Sequence, residues 1–342
     1  MIYIYSTNPE SITGGIAKTV STLVASLKNK KIEHKVISTH IDTNNIFEKI
    51  KLILFSMKSA FLTNHNDVVY LNAGGKISIF RKSIIALIAK CKGAKVLLHI
   101  HGPSLTDNLD SRYYRCFFKI MCKSIDQLVV LTPWWVEQLS CYHNKITILP
   151  NSVDLDVAAV PRAKSEGERL LFLSRLEKEK GADIAIMSLL FNSCKLTIAG
   201  EGQDKERLIG LVKKHKLEDR VVFYGWANES DKITLLENHD VFLLPSRGDS
   251  FGMGYIEAMS YGLPCVGLNY KSLIDVITDD VGLIVDINDK EDIDIAKEVG
   301  RSCQCLVNDN ILYYKLSKGA IEKVRKVYSS DIVVKKFIDY LY

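Results

Sequence analysis

The chain has 342 residues and a mass of 38.5 kDa, with 47% apolar and 25% charged residues. This length favours two domains over a single hydrophobic core, and the composition excludes a fibrous or disordered protein. No run of about 18 apolar residues occurs, so the sequence predicts no membrane-spanning helix.

The positive charge lies in the first half of the chain. Residues 1–160 hold 19 Lys and Arg against 11 Asp and Glu, whereas the net charge of the whole chain is only +5. A basic surface of this kind suits an acidic partner. Charge alone allows nucleic acid, but no aromatic and basic recognition motif is present, so we expect no nucleic-acid partner. Lipid headgroups or a lipid-linked diphosphate fit the charge equally well.

The eight cysteines are scattered, and Cys303 and Cys305 form the only close pair. No CxxC pair occurs and no ligand-spaced histidine accompanies the close pair. We interpret the cysteines as reduced and mostly buried, which predicts a cytoplasmic protein. Met1 leads directly into an apolar strand, and no N-terminal signal pattern is recognisable.

In the first half, short apolar strands alternate with helical patterns, which predicts a parallel sheet covered by helices. The predicted strands are Ile2–Ser6, His34–Ser38, Val68–Asn72, Lys95–Ile100, Leu128–Thr132 and Ile146–Leu149. The predicted helices are Ile16–Leu27, Ile46–Leu62, Ser83–Cys91, Arg112–Lys123 and Pro133–Leu139.

The second half repeats the alternation without repeating the sequence. We therefore predict an α/β protein with two Rossmann-like domains, residues 1–155 and 166–328, that face each other across a cleft. Residues 329–342 would form a terminal helix that packs toward the first domain. In sheets of this type, ligands bind at the carboxyl ends of the strands. The predicted strands of the second half are Leu170–Ser174, Leu196–Ala199, Val221–Tyr224, Val241–Pro245, Pro264–Leu268 and Leu283–Val285.

The most informative stretch is residues 240–268, which contains a buried strand, a glycine-containing turn, a helix and a second strand. Backbone N–H groups at such a strand-to-helix junction favour a phosphate. Glu257, inside the helix, offers two oxygens that can accept hydrogen bonds from both hydroxyls of a ribose or a sugar. Asp249 approaches the same space from the turn. Alternatively, Asp249 or Ser250 caps the helix and Glu257 is solvated.

A second charged loop follows the first strand of the second half. Arg175 and Lys180 are five positions apart and precede Gly181, an arrangement that suits a pyrophosphate. Alternatively, the charges of this loop are simply solvated, which is the interpretation that we favour for Lys178.

Two weaker motifs lie in the first half. Gly14 and Gly15 open a helix after the first strand, and either approach a diphosphate or form an ordinary turn. His101 follows the fourth strand, where it could bind a metal, although no suitably spaced carboxylate accompanies it. We expect His99 on the opposite side of that strand, as a packing residue.

The stretch from Asp249 to Met259 resembles the signature of the retaining GT-B glycosyltransferases of family 4, the glycosyl transferases group 1. That signature has two glutamates separated by seven residues, with Phe-Gly after the first and Ala after the second; here Asp249 replaces the first glutamate. The resemblance implies that Glu257 binds the ribose of a nucleotide sugar. It also implies that Asp249 and the backbone of Phe251, Gly252 and Met253 hold the sugar and the distal phosphate.

The resemblance extends to other elements in the family's order. It implies that Arg175 and Lys180 bind the diphosphate, with Ser174 replacing a glycine of the family motif. Gly14 and Gly15 correspond to the N-terminal loop, and His101 would donate or accept a hydrogen bond with a hydroxyl of the transferred sugar. The loops at Gly200 and Trp226 would line the pocket for the base; alternatively they are tight turns with a packed tryptophan.

The resemblance thus predicts a hexosyltransferase that moves a hexose or N-acetylhexosamine from a nucleotide diphosphate sugar, with UDP favoured, to a glycan or lipid-linked acceptor. It implies retention of configuration, no metal and no cofactor. By analogy, the Ile-, Lys- and Asn-rich composition and the modest length suggest a role in bacterial surface polysaccharide synthesis, for lipopolysaccharide or capsule. The alternatives are a nucleotide-sugar epimerase or phosphorylase on the same fold, or a non-catalytic partner of a glycan assembly complex.

Two basic amphipathic stretches, residues 46–62 and 112–123, could contact the inner leaflet of a membrane as a peripheral surface. Helices that simply cover a sheet have the same sequence pattern, so packing is the alternative.

Overall fold

A computed structural model describes residues 1–7, 15–40, 45–154, 160–162 and 168–341. The chain divides into two compact units. The first unit is Met1–Asp154 with Tyr328–Tyr342, and the second unit is Leu155–Val327. Each unit contains a six-stranded sheet in which all paired strands are parallel.

The first unit has the strand order β2-β1-β3-β4-β5-β6. Its four inner strands are almost entirely buried because helices cover both faces of a parallel sheet, whereas the two edge strands are only partly buried. The strands are β1 Ile2–Thr7, β2 His34–His40, β3 Val68–Ala73, β4 Lys95–Ile100, β5 Gln127–Val130 and β6 Ile146–Ile148. The helices are α1 Gly15–Asn29, α2 Ile46–Phe61, α3 Lys76–Cys91, α4 Leu105–Leu109, α5 Arg112–Cys122 and α6 Pro133–Leu139.

The second unit has the strand order β12-β11-β10-β7-β8-β9, with β7 near the centre. The strands are β7 Arg169–Leu173, β8 Lys195–Ala199, β9 Val221–Gly225, β10 Val241–Leu243, β11 Cys265–Leu268 and β12 Gly282–Val285. The helices are α7 Ala182–Ser188, α8 Lys205–Lys214, α9 Glu229–Asn238, α10 Met253–Ser260, α11 Leu273–Val276, α12 Asp292–Asn308 and α13 Asn310–Lys323.

The last helix, α14 Ser330–Leu341, belongs to the first unit. Its apolar face, which includes Val334 and Phe337, joins the core formed by Ile4, Tyr70 and other residues of the sheet. The rings of Tyr70 and Phe337 meet edge to face, with centroids 4.8 Å apart.

Each sheet has one point where the strand order reverses. In the second unit the chain proceeds from β7 through β8 to β9, and then returns to place β10 on the other side of β7. In the first unit the reversal lies between β1 and β3. Loops that follow the two strands at such a point leave in opposite directions, and the crevice between them is the usual ligand site of an open α/β sheet.

Some sequence predictions need correction. Helix α3 begins at Lys76 rather than Ser83, because two polar residues, the half-buried Ser78 and the buried Lys82, interrupt the apolar pattern of its first turns. Strand β10 ends at Leu243 rather than Pro245. The cysteines are not mostly buried: all eight are free thiols, and Cys91, Cys116, Cys141 and Cys305 are exposed. No helix of the described residues is long and apolar enough to cross a membrane.

Candidate functional site

The loops after β7 and β10 touch each other at the reversal point of the second unit. Gly181 has φ +75°, and a Cβ atom at this position would lie 2.0 Å from the carbonyl oxygen of Pro245. The backbone N–H of Arg247 donates to the carbonyl of Glu179 at 2.7 Å. Only glycine allows this approach, and the hydrogen bond holds the two loops in register.

Lys180 and Asp249 form an ion pair across these loops, with 2.9 Å between Nζ and Oδ1. The Lys180 side chain is 8% exposed and the Asp249 side chain 19%. The second carboxylate oxygen, Asp249 Oδ2, is buried and accepts no hydrogen bond from the described residues. A buried acceptor without a donor is costly, so the site has capacity for a hydroxyl or another donor from a ligand.

Helix α10 begins beside this pair. Its N-cap is Gly252, with φ +79°, and no side chain caps the first turn. The alternative in which Asp249 or Ser250 caps the helix is therefore wrong. The Phe251 side chain is buried, so Phe251, Gly252 and Met253 present mainly backbone at this turn. Uncapped N–H groups and the positive end of the helix dipole favour an anion.

Glu257 lies one turn further along α10 and is half-buried rather than fully solvated. Arg175 leaves the end of β7 on the same loop as Lys180, but its side chain is 64% exposed and pairs with Glu177 at 2.7 Å. Lys178 is exposed, as predicted. The structure therefore brings Lys180, Asp249 and the start of α10 together, and leaves Arg175 on the rim.

The two loops predicted for the base follow β8 and β9, next to β7 in the sheet. Gly200 has φ +152°, and a Cβ atom there would lie 1.9 Å from the carbonyl oxygen of Ser174, so the β8 loop packs directly on the β7 loop. Trp226 is 65% exposed, and the alternative of a packed tryptophan is wrong.

The site residues predicted in the first unit are His101, Gly14 and Gly15. Gly14 lies outside the described residues, and Gly15 is the first residue of α1. His101 follows β4 and is buried, with Nε2 3.0 Å from Asn72 Oδ1. Burial, and then the nearby charge of Lys82, lower the pKa of His101 to about 3, so its ring is neutral at physiological pH.

The prediction that His99 lies opposite His101 is wrong. The two ring centroids are only 4.0 Å apart, because residues two positions apart share one face of a strand. His99 is buried and its Nδ1 shares a hydrogen bond with the hydroxyl of Tyr70. It is a packing residue, as expected, but on the same side as His101. No group of three His, Cys, Asp or Glu side chains in the described ranges is arranged to hold a metal ion.

The sequence analysis missed one cluster, Arg81 and Lys82 on α3. Both line a pocket of about 490 Å³ at the reversal point of the first unit. A usable signal was present: Lys82 is a charged residue on the face of α3 that also carries Ile79, Ile85 and Ala86, which are buried.

Two parallel six-stranded sheets covered by helices are the architecture of the GT-B glycosyltransferases. The fold matches that of Anabaena HepE, solved in complex with UDP and glucose, with a TM-score of 0.75 at 13% identity over 99% of this chain and 98% of that one. Residues 157–299 match the family described as glycosyl transferases group 1. This match covers less than half of the chain and lies within the second unit, where the chain is similar to this family of glycosyltransferases.

The chain is also similar in sequence to two bacterial proteins. It is 26% identical over 311 residues to an uncharacterized 41.2 kDa protein in the cps region of Klebsiella pneumoniae, covering 82% of this chain and 85% of that protein. A shorter segment of 115 residues is 34% identical to the O-antigen biosynthesis glycosyltransferase WclY of Escherichia coli, covering 33% of this chain and 32% of that enzyme.

Proposed function

We propose that this protein transfers a hexose or N-acetylhexosamine from a UDP-sugar to a glycan or lipid-linked acceptor, with retention of configuration. The observation that carries the proposal is the ion pair between the buried Lys180 and the mostly buried Asp249, beside the uncapped start of α10. This arrangement offers a cation and backbone N–H groups to a diphosphate, and a carboxylate oxygen to a sugar hydroxyl.

The chemical difficulty of the reaction is the departure of a nucleoside diphosphate. Lys180, the backbone of Gly252 and Met253, and Arg175 after release from Glu177 would stabilise its growing negative charge. Preorganised donors of this kind commonly supply a few kcal/mol each. We therefore include independence from a metal ion in the proposal, and unchanged turnover after treatment with EDTA is the expected result.

The remaining predicted residues orient the donor. Asp249 Oδ2 would accept a hydrogen bond from the sugar, and Glu257 would accept two from the ribose. The close approach of Gly181 to Pro245 supports the assignment of Asp249, because it brings the shorter carboxylate within reach of Lys180. His101, which is neutral, would contact a sugar hydroxyl, and the backbone of Gly15 would approach the diphosphate.

The names of the similar proteins support two parts of the proposal, UDP as the nucleotide of the donor and surface polysaccharide synthesis as the pathway. HepE was crystallised with UDP and glucose, one sequence relative is a protein of a cps region, and the other is an O-antigen biosynthesis glycosyltransferase. We therefore favour UDP as the nucleotide and surface polysaccharide synthesis, at the cytoplasmic side of the membrane, as the biological role.

We also propose that the first unit contacts the membrane surface through α2, α3 and α5. These helices are neighbours, and the rings of Phe80 and Phe117 join α3 to α5 with centroids 5.6 Å apart. Three apolar side chains on them are largely exposed, Phe47 at 77%, Ile77 at 75% and Tyr113 at 87%. Exposed apolar residues interspersed with lysine and arginine are typical of a surface that binds anionic lipid.

A panel of nucleotides tests the proposed function. Thermal unfolding with UDP, GDP, ADP and their glucose derivatives should give stabilisation by the UDP compounds, since ligands of the native state raise its stability by about 2.7 kcal/mol at a hundredfold excess over Kd. Conversion of the donor sugar without any acceptor would indicate an epimerase. Failure of every nucleotide to bind would indicate a non-catalytic protein.

A further inference from the structure

A pocket of about 490 Å³ lies within the first unit, at the point where the strand order reverses between β1 and β3. Its wall includes Thr7 at the end of β1, His40 at the end of β2, and Asn72 near the end of β3. Loop residues Gly74 and Gly75 complete this side, next to the first turn of α3. The pocket therefore occupies the position where an open α/β sheet binds its ligand.

Two adjacent cations, Arg81 and Lys82, line this pocket. The Lys82 side chain is buried, and its ammonium donates to the hydroxyls of Thr39 at 3.1 Å and Ser78 at 3.0 Å. No carboxylate of the described residues pairs with Lys82 or with Arg81. Burial, followed by the charge of Arg81, lowers the pKa of Lys82 to about 7. Burying a cation without an anion is expensive, which suggests that the anion comes with a ligand.

Further hydrogen-bond donors point to the same chemistry. Asn72 is buried, and its Nδ2 has no hydrogen-bond partner in the described part of the chain; the same holds for Nε of Arg81. Helix α3, sixteen residues long, begins at the pocket with Gly75 as N-cap and no side-chain cap. Two cations, a side-chain amide and uncapped helix N–H groups are all donors, and together they match the oxygens of a phosphate or carboxylate.

We infer that this pocket binds an oxyanion, a phosphate or a carboxylate, carried by the acceptor of the transferase reaction. The inference rests on the proposed function for its link to the acceptor, because Ile16, which follows Gly15, and Asn72, the partner of His101, both line the pocket. The acceptor is accordingly an anionic molecule, such as a lipid-linked phosphate or a glycan that ends in an acidic sugar.

The test uses the full chain saturated with UDP, so that added anions cannot occupy the nucleotide site. Calorimetric titration at pH 6.5 with inorganic phosphate and with glucuronate measures the affinity of the pocket for each anion. Glucose is the uncharged control. The variants are Lys82→Met and Arg81→Gln, and the matched control is Lys92→Gln, an exposed lysine just beyond the other end of α3.

We expect the wild type and Lys92→Gln to bind at least one of the two anions, and both pocket variants to bind it at least about tenfold more weakly, with no effect of glucose. The affinities of a short-chain prenyl diphosphate and of a glucuronide are then compared, and the tighter ligand identifies the source of the anion. Equal anion affinity in the wild type and the pocket variants, or no anion binding while UDP binds normally, would overturn the inference.

Two outcomes separate this inference from the proposed function. If the wild type fails to bind UDP, the donor assignment fails. Titration with the anions in the absence of UDP then still measures the anion affinity of the pocket. If Lys82→Met does not fold, as judged by its UDP affinity, Arg81→Gln decides the result, because Arg81 is only half-buried and tolerates substitution more readily.

Discussion

Lys180 holds one oxygen of Asp249 at 2.9 Å, while the other oxygen is buried without a hydrogen bond from the described residues. The pair therefore has two tasks that can be separated. One is structural, since it joins the loops that follow β7 and β10. The other is chemical, since it fixes a carboxylate and an ammonium at the place where the strand order reverses.

The structural task predicts coupling in the free energy of unfolding. Asp249→Asn and Lys180→Met should each destabilise the protein by about 1–3 kcal/mol, because each leaves a mostly buried partner without its counter-charge. The double variant should lose less than the sum of the two. Urea unfolding of all four proteins measures the coupling. Additive losses would mean that the two side chains do not interact in solution.

Glu257→Gln tests the nucleotide end of the site. Loss of charged hydrogen bonds to the ribose, worth about 1.5–3 kcal/mol, should raise the Kd of UDP at least tenfold in calorimetry. Glu291→Gln, an exposed carboxylate of the same unit that lies just before α12, is the control and should bind UDP like the wild type. An unaltered Kd for Glu257→Gln would remove Glu257 from the site.

The exposed apolar surface predicts binding to anionic vesicles. Replacement of both Phe47 and Ile77 by serine should weaken co-sedimentation with phosphatidylglycerol vesicles about tenfold or more, because each buried apolar side chain contributes about 1.5–3 kcal/mol. Ile311→Ser is the matched control, since Ile311 is 85% exposed but lies in the second unit. If the control and the double variant bind equally, these helices are not the membrane contact.

Lys82 predicts a pH dependence of stability. Its pKa falls from the ordinary 10.5 to about 7 in the folded protein, so between these values the unfolded chain binds the proton more strongly. The charge of Lys82 therefore destabilises the native state increasingly as pH falls from 10.5 to 7.

Lys82→Met should accordingly raise the free energy of unfolding by on the order of 1–4 kcal/mol at pH 7 and by less at pH 10. Arg81, Lys76, His40 and His101 also face or adjoin this site, and burial lowers the pKa of His101 to about 3, well below this pH range. Denaturant unfolding at both pH values measures the difference. A gain that is the same at pH 7 and pH 10 would mean that Lys82 is not desolvated.

The sequence predicted the fold well because both sheets depend on local patterns. Alternation of apolar strands with helices indicated each strand and most helices of the first unit, but few helices of the second; a motif of known order indicated the loops that carry Lys180 and Asp249. Their pairing was not predictable, since the two residues are far apart in the chain and meet only through the close contact of Gly181 with Pro245.

The basic pocket was missed for a different reason. Lys82 and Ser78 interrupt the apolar stripe of α3, so the helix was predicted to start after them. Their role emerges only when burial is known, because a lysine on a helix is usually solvated. The error about His99 was avoidable from the sequence. Side chains two positions apart in a strand lie on the same face, so residues 99 and 101 belong on one side.

The central claim is that the carboxylate of Asp249 acts on the sugar of a nucleotide donor. The most direct measurement is release of UDP from UDP-sugars by the wild type, Asp249→Asn and the control Asp292→Asn, whose carboxylate forms an exposed ion pair with Arg247. We predict that Asp249→Asn lowers turnover at least about a hundredfold while the Kd of UDP changes less than threefold, and that the control retains full turnover. Wild-type turnover in Asp249→Asn would contradict the account.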